Sequence, residues 1–194
     1  MGETIGPATI ATAAAARRET TKGADLAFIG QKDPQTVRPG GARSGPPKIG
    51  GVEIHELGNV LTRSGFMTEI FRTDWAGHAI GVRQVNWVQL NPAGVTDWHA
   101  HARQTDRIVG VGGVIKLALW DGRSASATRG ATEIIRIGAA RPVLVVIPPG
   151  VWHGLRNESG EPTGYLNVID ELYVHEEPDN WRLPVGSTDT PGSL

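Results

Sequence analysis

The sequence predicts an all-β protein, an antiparallel sandwich or jelly-roll β-barrel carried behind a flexible N-terminal arm. Three observations lead there. Beyond residue 50, short runs rich in Val, Ile, Leu and aromatic residues follow one another. Gly, Pro, Asn and Asp punctuate them at intervals, as in Asn91-Pro92-Ala93-Gly94, Asp121-Gly122 and Pro148-Pro149-Gly150. No stretch in that region keeps a helical period.

The arm comes first. Residues 1–50 are dominated by Gly, Pro, Ala and Thr, and Phe28 is their one aromatic residue. Without bulky apolar side chains such a segment cannot offset the entropy of ordering itself, so it is expected to be mobile or to order against a partner subunit. The barrel is expected over residues 51–185 and a short flexible tail over 186–194. Strands are expected at 65–72, 80–90, 114–120, 134–137, 143–147 and 165–168, with another opening near His153 after the Pro-Pro-Gly turn. The segment Trp181-Arg182-Leu183-Pro184 is expected to close the barrel or to pack on a neighbouring subunit.

Composition narrows the function. The chain has 194 residues, and 19 Lys+Arg against 20 Asp+Glu give a net charge of −1. That balance argues against nucleic acid as a partner, because phosphate binding needs a concentrated basic surface. No Cys is present, which excludes disulfides, thiolate nucleophiles and Cys-ligated zinc. No apolar run approaches a membrane span. The Ala- and Thr-rich start lacks the basic opening and apolar core of a secretory leader, so a cytoplasmic location is expected.

Two passages carry the chemistry. The first runs from Gly94 through His99 and His101 to Asp106 and Gly113. Two histidines two apart on a strand share a face. The second runs from Pro148 through Gly150 and His153 to Asn157, a turn that delivers a third histidine to a new strand. Three imidazoles and a carboxylate suit a divalent metal and leave positions open for substrate. The alternative is a polar pocket without metal.

These passages resemble the two motifs of the cupin superfamily, with Asp106 where the first motif has Glu. The resemblance implies a cupin jelly-roll barrel, the double-stranded β-helix. In most cupins the matching positions, His99, His101, Asp106 and His153, bind a divalent metal such as iron, nickel, zinc or manganese.

A longer resemblance, over about residues 62–184, is to the dTDP-4-dehydrorhamnose 3,5-epimerase family, cupin barrels that work without metal. It is carried by Gly65-Phe66-Met67-Thr68-Glu69, by Gln84-Val85-Asn86, and by Gly113, Asp121 and Arg123. The run Pro148-Pro149-Gly150 to His153-Gly154 also fits. The resemblance implies that His99 is the catalytic base beside a ketone and Tyr165 the acid on the opposite face. Glu69, Gln84, Asn86, Arg63 and His153 would then contact a keto-sugar, and no cofactor is required. Asp170, Glu171 and Tyr173 resemble residues that shape the site's edge.

Departures from the family have a direction. Its diphosphate-holding arginines are Thr96 and Ser64 here, with Arg63 one place away. Its enolate-supporting Lys is Asp106, and its Gln is His101. A metal could therefore stand in for the Lys on an epimerase scaffold. Three functions follow: an epimerase or isomerase, a metal-dependent cupin oxygenase or lyase using the three histidines and the aspartate, and a non-catalytic small-molecule-binding cupin. A homodimer is expected. Trp98, Trp120 and Trp152 are read as core or interface residues, and His55, His78 and His175 as surface residues.

Overall fold

A computed structural model describes residues 39, 43, 45–75, 81–183, 187, 189, 191, 192 and 194. The described residues contain strands and turns but no helix. Twelve strands follow in chain order: β1 (Glu53–Glu56), β2 (Asn59–Thr62), β3 (Gly65–Thr68), β4 (Gln84–Leu90), β5 (His99–Ala100), β6 (Asp106–Val111), β7 (Ile115–Asp121), β8 (Thr132–Ile137), β9 (Val143–Ile147), β10 (Val151–Asn157), β11 (Thr163–Ile169) and β12 (Trp181–Arg182).

They form two five-stranded sheets, in the orders β1-β9-β6-β11-β4 and β12-β5-β10-β7-β8, plus the hairpin β2-β3. Neighbouring strands within both sheets run antiparallel, as the turn-punctuated sequence predicts. Alternation decides which side chains fill the space between the sheets. Leu117 and Leu119 of β7, Ile135 and Ile137 of β8, Val143, Val145 and Ile147 of β9, and Val151 and Leu155 of β10 form one cluster with Ile108 and Tyr165. Burying each large aliphatic side chain contributes roughly 1.5–3 kcal/mol.

Several strands differ from the sequence expectation. The strand expected at 65–72 ends at Thr68, and the one expected at 80–90 is assigned from Gln84, with residues 76–80 outside the described set. Strand β6 was not expected: it opens on Asp106 and Arg107, both buried, which breaks the apolar signature. Strands β1 and β2 are short, and β2 is exposed throughout, its Val60 and Leu61 included.

Most of the expected arm lies outside the described residues. Near its end, Ile49 is buried in the core, Arg43 pairs with the buried Glu133, and Lys48 N–H donates to Glu133 Oε2 at 2.9 Å. Two links lock the loop ends. Asp121, buried at the end of β7, accepts Arg123 Nε–H at 2.8 Å and the Ser126 and Thr128 hydroxyls at 2.6 Å each. Asn157, which ends β10, donates its amide to the carbonyls of Leu90, Asn91 and Glu161.

Candidate active site

The site sits where the two sheets face each other. Strand β5 supplies His99 and β10 supplies His153, opposite each other in register. Their rings lie 4.1 Å apart, centroid to centroid, and His101 follows two residues after His99 on the same face. The second sheet's imidazoles meet Asp106, which β6 presents from the first sheet. Asp106 Oδ2 lies 2.9 Å from His153 Nε2 and 3.2 Å from His101 Nε2.

Each imidazole is held from behind by a backbone carbonyl. His99 Nδ1 donates to Asp97 O at 2.9 Å, His153 Nδ1 to Val151 O at 3.1 Å, and His101 Nδ1 to Asp179 O. A carbonyl only accepts, so all three Nδ1 atoms carry their protons and all three Nε2 atoms face inward. The consequences differ between the rings. His101 and His153 turn Nε2 toward Asp106, whereas among the described residues no hydrogen bond claims Nε2 of His99.

Asp106 is fully buried, and its other oxygen accepts Gln104 Nε2–H at 2.5 Å and Asn167 Nδ2–H at 2.9 Å. Burial opposes its ionisation, but the two imidazoles outweigh burial and hold its carboxyl well below the usual range. Burial also opposes a charge on His101, and there too the contact with Asp106 prevails and raises it. His99 goes the other way: burial and the neighbouring His153 push it down to about 3, so it is neutral at pH 7. Burial and the nearby Asp106 charge push the Tyr165 phenol up to about 12.

A pocket of about 170 Å³ opens over these rings, and Asn86, His99, His101, Arg103, Asn167 and Tyr173 are among its lining residues. Its wall is the loop between β11 and β12, pinned at three points. Asp170 Oδ1 accepts Thr105 N–H, Gln84 Oε1 accepts Tyr173 N–H, and the Asp179 carboxylate accepts the N–H groups of Ala102, Arg103 and Gln104. Gln84 also donates to Asn86 Oδ1 at 2.7 Å, which leaves the Asn86 amide hydrogens free to face the pocket.

The residues singled out in the sequence thus divide. His99, His101, Asp106 and His153 come together, Asn86 joins them, and Gln84 stands behind Asn86. Tyr165 is buried on β11 with the same inward parity as Asn167, two residues on. Glu69 and Arg63 do not join the imidazoles within this chain. Glu69 pairs with Arg72 at 3.1 Å and lines a separate hollow with His55, Glu56 and Trp75, and Arg63 is exposed in the β2–β3 turn. Thr96 accepts Leu155 N–H through its hydroxyl, a structural contact. Trp120 and Trp152 pair on the outer face, away from the pocket, and His78 lies outside the described residues.

Sequence reasoning missed Gln104, Asn167 and Asp179. Asn167 had a signal, an amide at inward parity within the apolar run of β11. Asp179 had none, because it is 78 residues from the histidine it steadies.

The donor set fits a divalent cation. With each Nδ1 proton committed to a carbonyl, Oδ2 of Asp106 faces two Nε2 atoms at hydrogen-bonding distance, 2.9 and 3.2 Å. That contact calls for a proton or a cation between the groups. His99, His101, His153 and Asp106 would hold such a cation, which would supply Lewis-acid stabilisation of an oxyanion.

Two packed antiparallel sheets with histidines and an acid converging at their seam define a cupin-type barrel with an enzyme-like pocket. The comparisons carry this to a family. The chain is 32% identical over 139 residues to the probable low-salt glycan biosynthesis epimerase Agl13 of Haloferax volcanii, covering 71% of this chain and 89% of that protein. It is 29% identical over 136 residues to the spore coat polysaccharide biosynthesis protein SpsL of Bacillus subtilis, covering 70% and 89%. No family model matches. Among solved structures, the dTDP sugar isomerase of Desulfovibrio desulfuricans has the same fold, with a TM-score of 0.70 at 24% identity over 75% of this chain and 92% of that one. The dTDP-4-dehydrorhamnose 3,5-epimerase of Elizabethkingia anophelis gives 0.63 at 16% identity over 75% and 81%. The chain belongs to this family of sugar-biosynthesis epimerases.

Proposed function

We propose that the protein epimerises a keto-sugar by moving a proton off and back onto the carbon beside its carbonyl. The observation that carries this reading is the unequal use of three imidazoles. His101 and His153 are committed to Asp106, and His99 alone keeps a neutral, unclaimed Nε2 facing the pocket. His99 takes the proton from carbon, and the bonding pair moves into the carbonyl as an enolate. The free amide hydrogens of Asn86 donate to the enolate oxygen. Tyr165, protonated at neutral pH, returns a proton to the opposite face. His153 serves through Asp106, and Glu69 and Arg63 contact substrate only if a second copy brings them to the pocket. This chemistry needs no cofactor.

The test is solvent-deuterium incorporation into a nucleotide-linked 4-keto-6-deoxy sugar, followed by NMR. His99→Gln is expected to slow incorporation about 10³-fold. Tyr165→Phe is expected to slow epimer formation more than proton loss. A parent enzyme that exchanges no proton with any of a panel of keto-sugars would overturn the reading.

A second reading rests on the three imidazoles, whose ligand nitrogens lie within 4.8 Å of one another with Asp106 beside them: an iron, nickel, zinc or manganese ion held by His99, His101, His153 and Asp106. Elemental analysis of the purified protein decides between them. Near-stoichiometric metal, lost in a His101→Gln, Asp106→Lys variant, supports the second reading, and metal-free active protein supports the first. We also propose that the enzyme is cytoplasmic. We further expect it to be a homodimer, a state supported by the apolar side chains exposed on β4 and on the β2-β3 hairpin.

A further inference from the structure

We infer that Pro191, Gly192 and Leu194 form a strap behind the imidazole-bearing strands and thereby position His99 and His153. Trp98 and Gly154 are its anchor points.

The need for such a device is visible in β5. It is two residues long, paired to β10 by a single register position and to β12 by two. A strand that short fixes an imidazole poorly by itself, yet His99 must hold its Nε2 toward substrate.

The strap meets the sheet directly behind the reacting face. Trp98 precedes His99, so it points to the outer side, where its indole N–H donates to Gly192 O at 3.0 Å. Gly154 follows His153 and also faces outward, beneath the side chain of Leu194; a Cβ at 154 would land on Leu194 carbons. Arg156, two residues further along the same face, donates Nη1–H to Leu194 O at 3.2 Å. Each of the two imidazole strands is therefore gripped from behind, one residue from its histidine. Between the grips, a hollow of about 100 Å³ lined by Trp98, Lys116, Ala118, Pro191 and Gly192 remains, so the strap acts at points and not as a continuous layer.

The effect on turnover rests on the epimerase reading; the effect on the rings does not. The experiment uses the full chain with labelled histidine, as Trp98→Phe, Leu194→Ala and Gly154→Ala. Ring resonances of His99 and His153 are expected to shift in all three, with those of His55 and His175 fixed. For deuterium incorporation into the keto-sugar, kcat is expected to fall about tenfold, since a displaced catalytic group is costly, with KM within about twofold. Should Gly154→Ala fail to fold, Leu194→Ala, which leaves the residues beside both histidines unchanged, still decides. His99 and His153 resonances that stay in place, even with a lowered Tm, would overturn the proposal. Resonances that move in an enzyme whose parent shows no exchange would support the strap and count against the keto-sugar reading alone.

Discussion

His99 and Asn157 separate two kinds of motif residue. Both belong to passages that stand out in the sequence, but only His99 faces the pocket. Asn157 ends the second motif as a buried clamp: its amide donates to three carbonyls across two loops, and its Oδ1 accepts Ser159 N–H at 2.7 Å. Replacing it strands buried acceptors, each of which costs about 1–3 kcal/mol. Asn157→Ala is therefore expected to lower unfolding free energy by about 2–3 kcal/mol in a denaturant titration, with kcat of the folded fraction unchanged. The four-member cluster is legible in the sequence, because its residue types and spacings are local. The partners that tune the cluster are not legible there, because Asp179 reaches His101 and Asn167 reaches Asp106 across the fold.

Among the elements, the loop from β7 to β8 makes the clearest pH prediction. Asp121 is held far below the ordinary carboxylate range by Arg123 first, and then by the Ser126 and Thr128 hydroxyls. A carboxyl depressed in the folded state stabilises it above the unfolded value near 4, and that stabilisation is lost as pH falls through the folded value. Asp121→Asn is expected to lower Tm at pH 7, and the gap to the parent is expected to narrow steadily between about pH 4 and pH 2. Arg123 also donates to Gly50 O at 2.7 Å, so the same variant loosens the entry to β1. Elements with plain apolar runs, such as β9, are readable from sequence nearly to the residue. Strand β6 is not, because its two opening charges are neutralised by partners on other elements: Asp106 by imidazoles, and Arg107 by Asp170 at 3.6 Å.

For the whole molecule, the outer surface is unevenly covered. Val85 and Trp87 stand out from edge strand β4, and Val60, Leu61, Phe66 and Met67 from the hairpin. Exposed apolar groups of this size mark candidate protein–protein surfaces. The parent is expected to sediment as a dimer, and Trp87→Glu as a monomer with its barrel intact. A parent that sediments as a monomer across the micromolar range would rule out the pairing.

The seam between the sheets has one more consequence. In the proposed mechanism base and acid do not share a sheet: His99 and His153 stand on one leaf, and Asp106, Asn86 and Tyr165 on the other. On that mechanism, the distances between the proposed base and acid gauge how tightly the two leaves are shut. Warming or pressure that lets them part by about an ångström would silence the enzyme while every strand kept its ladder, so turnover would fade before the β-sheet signal does.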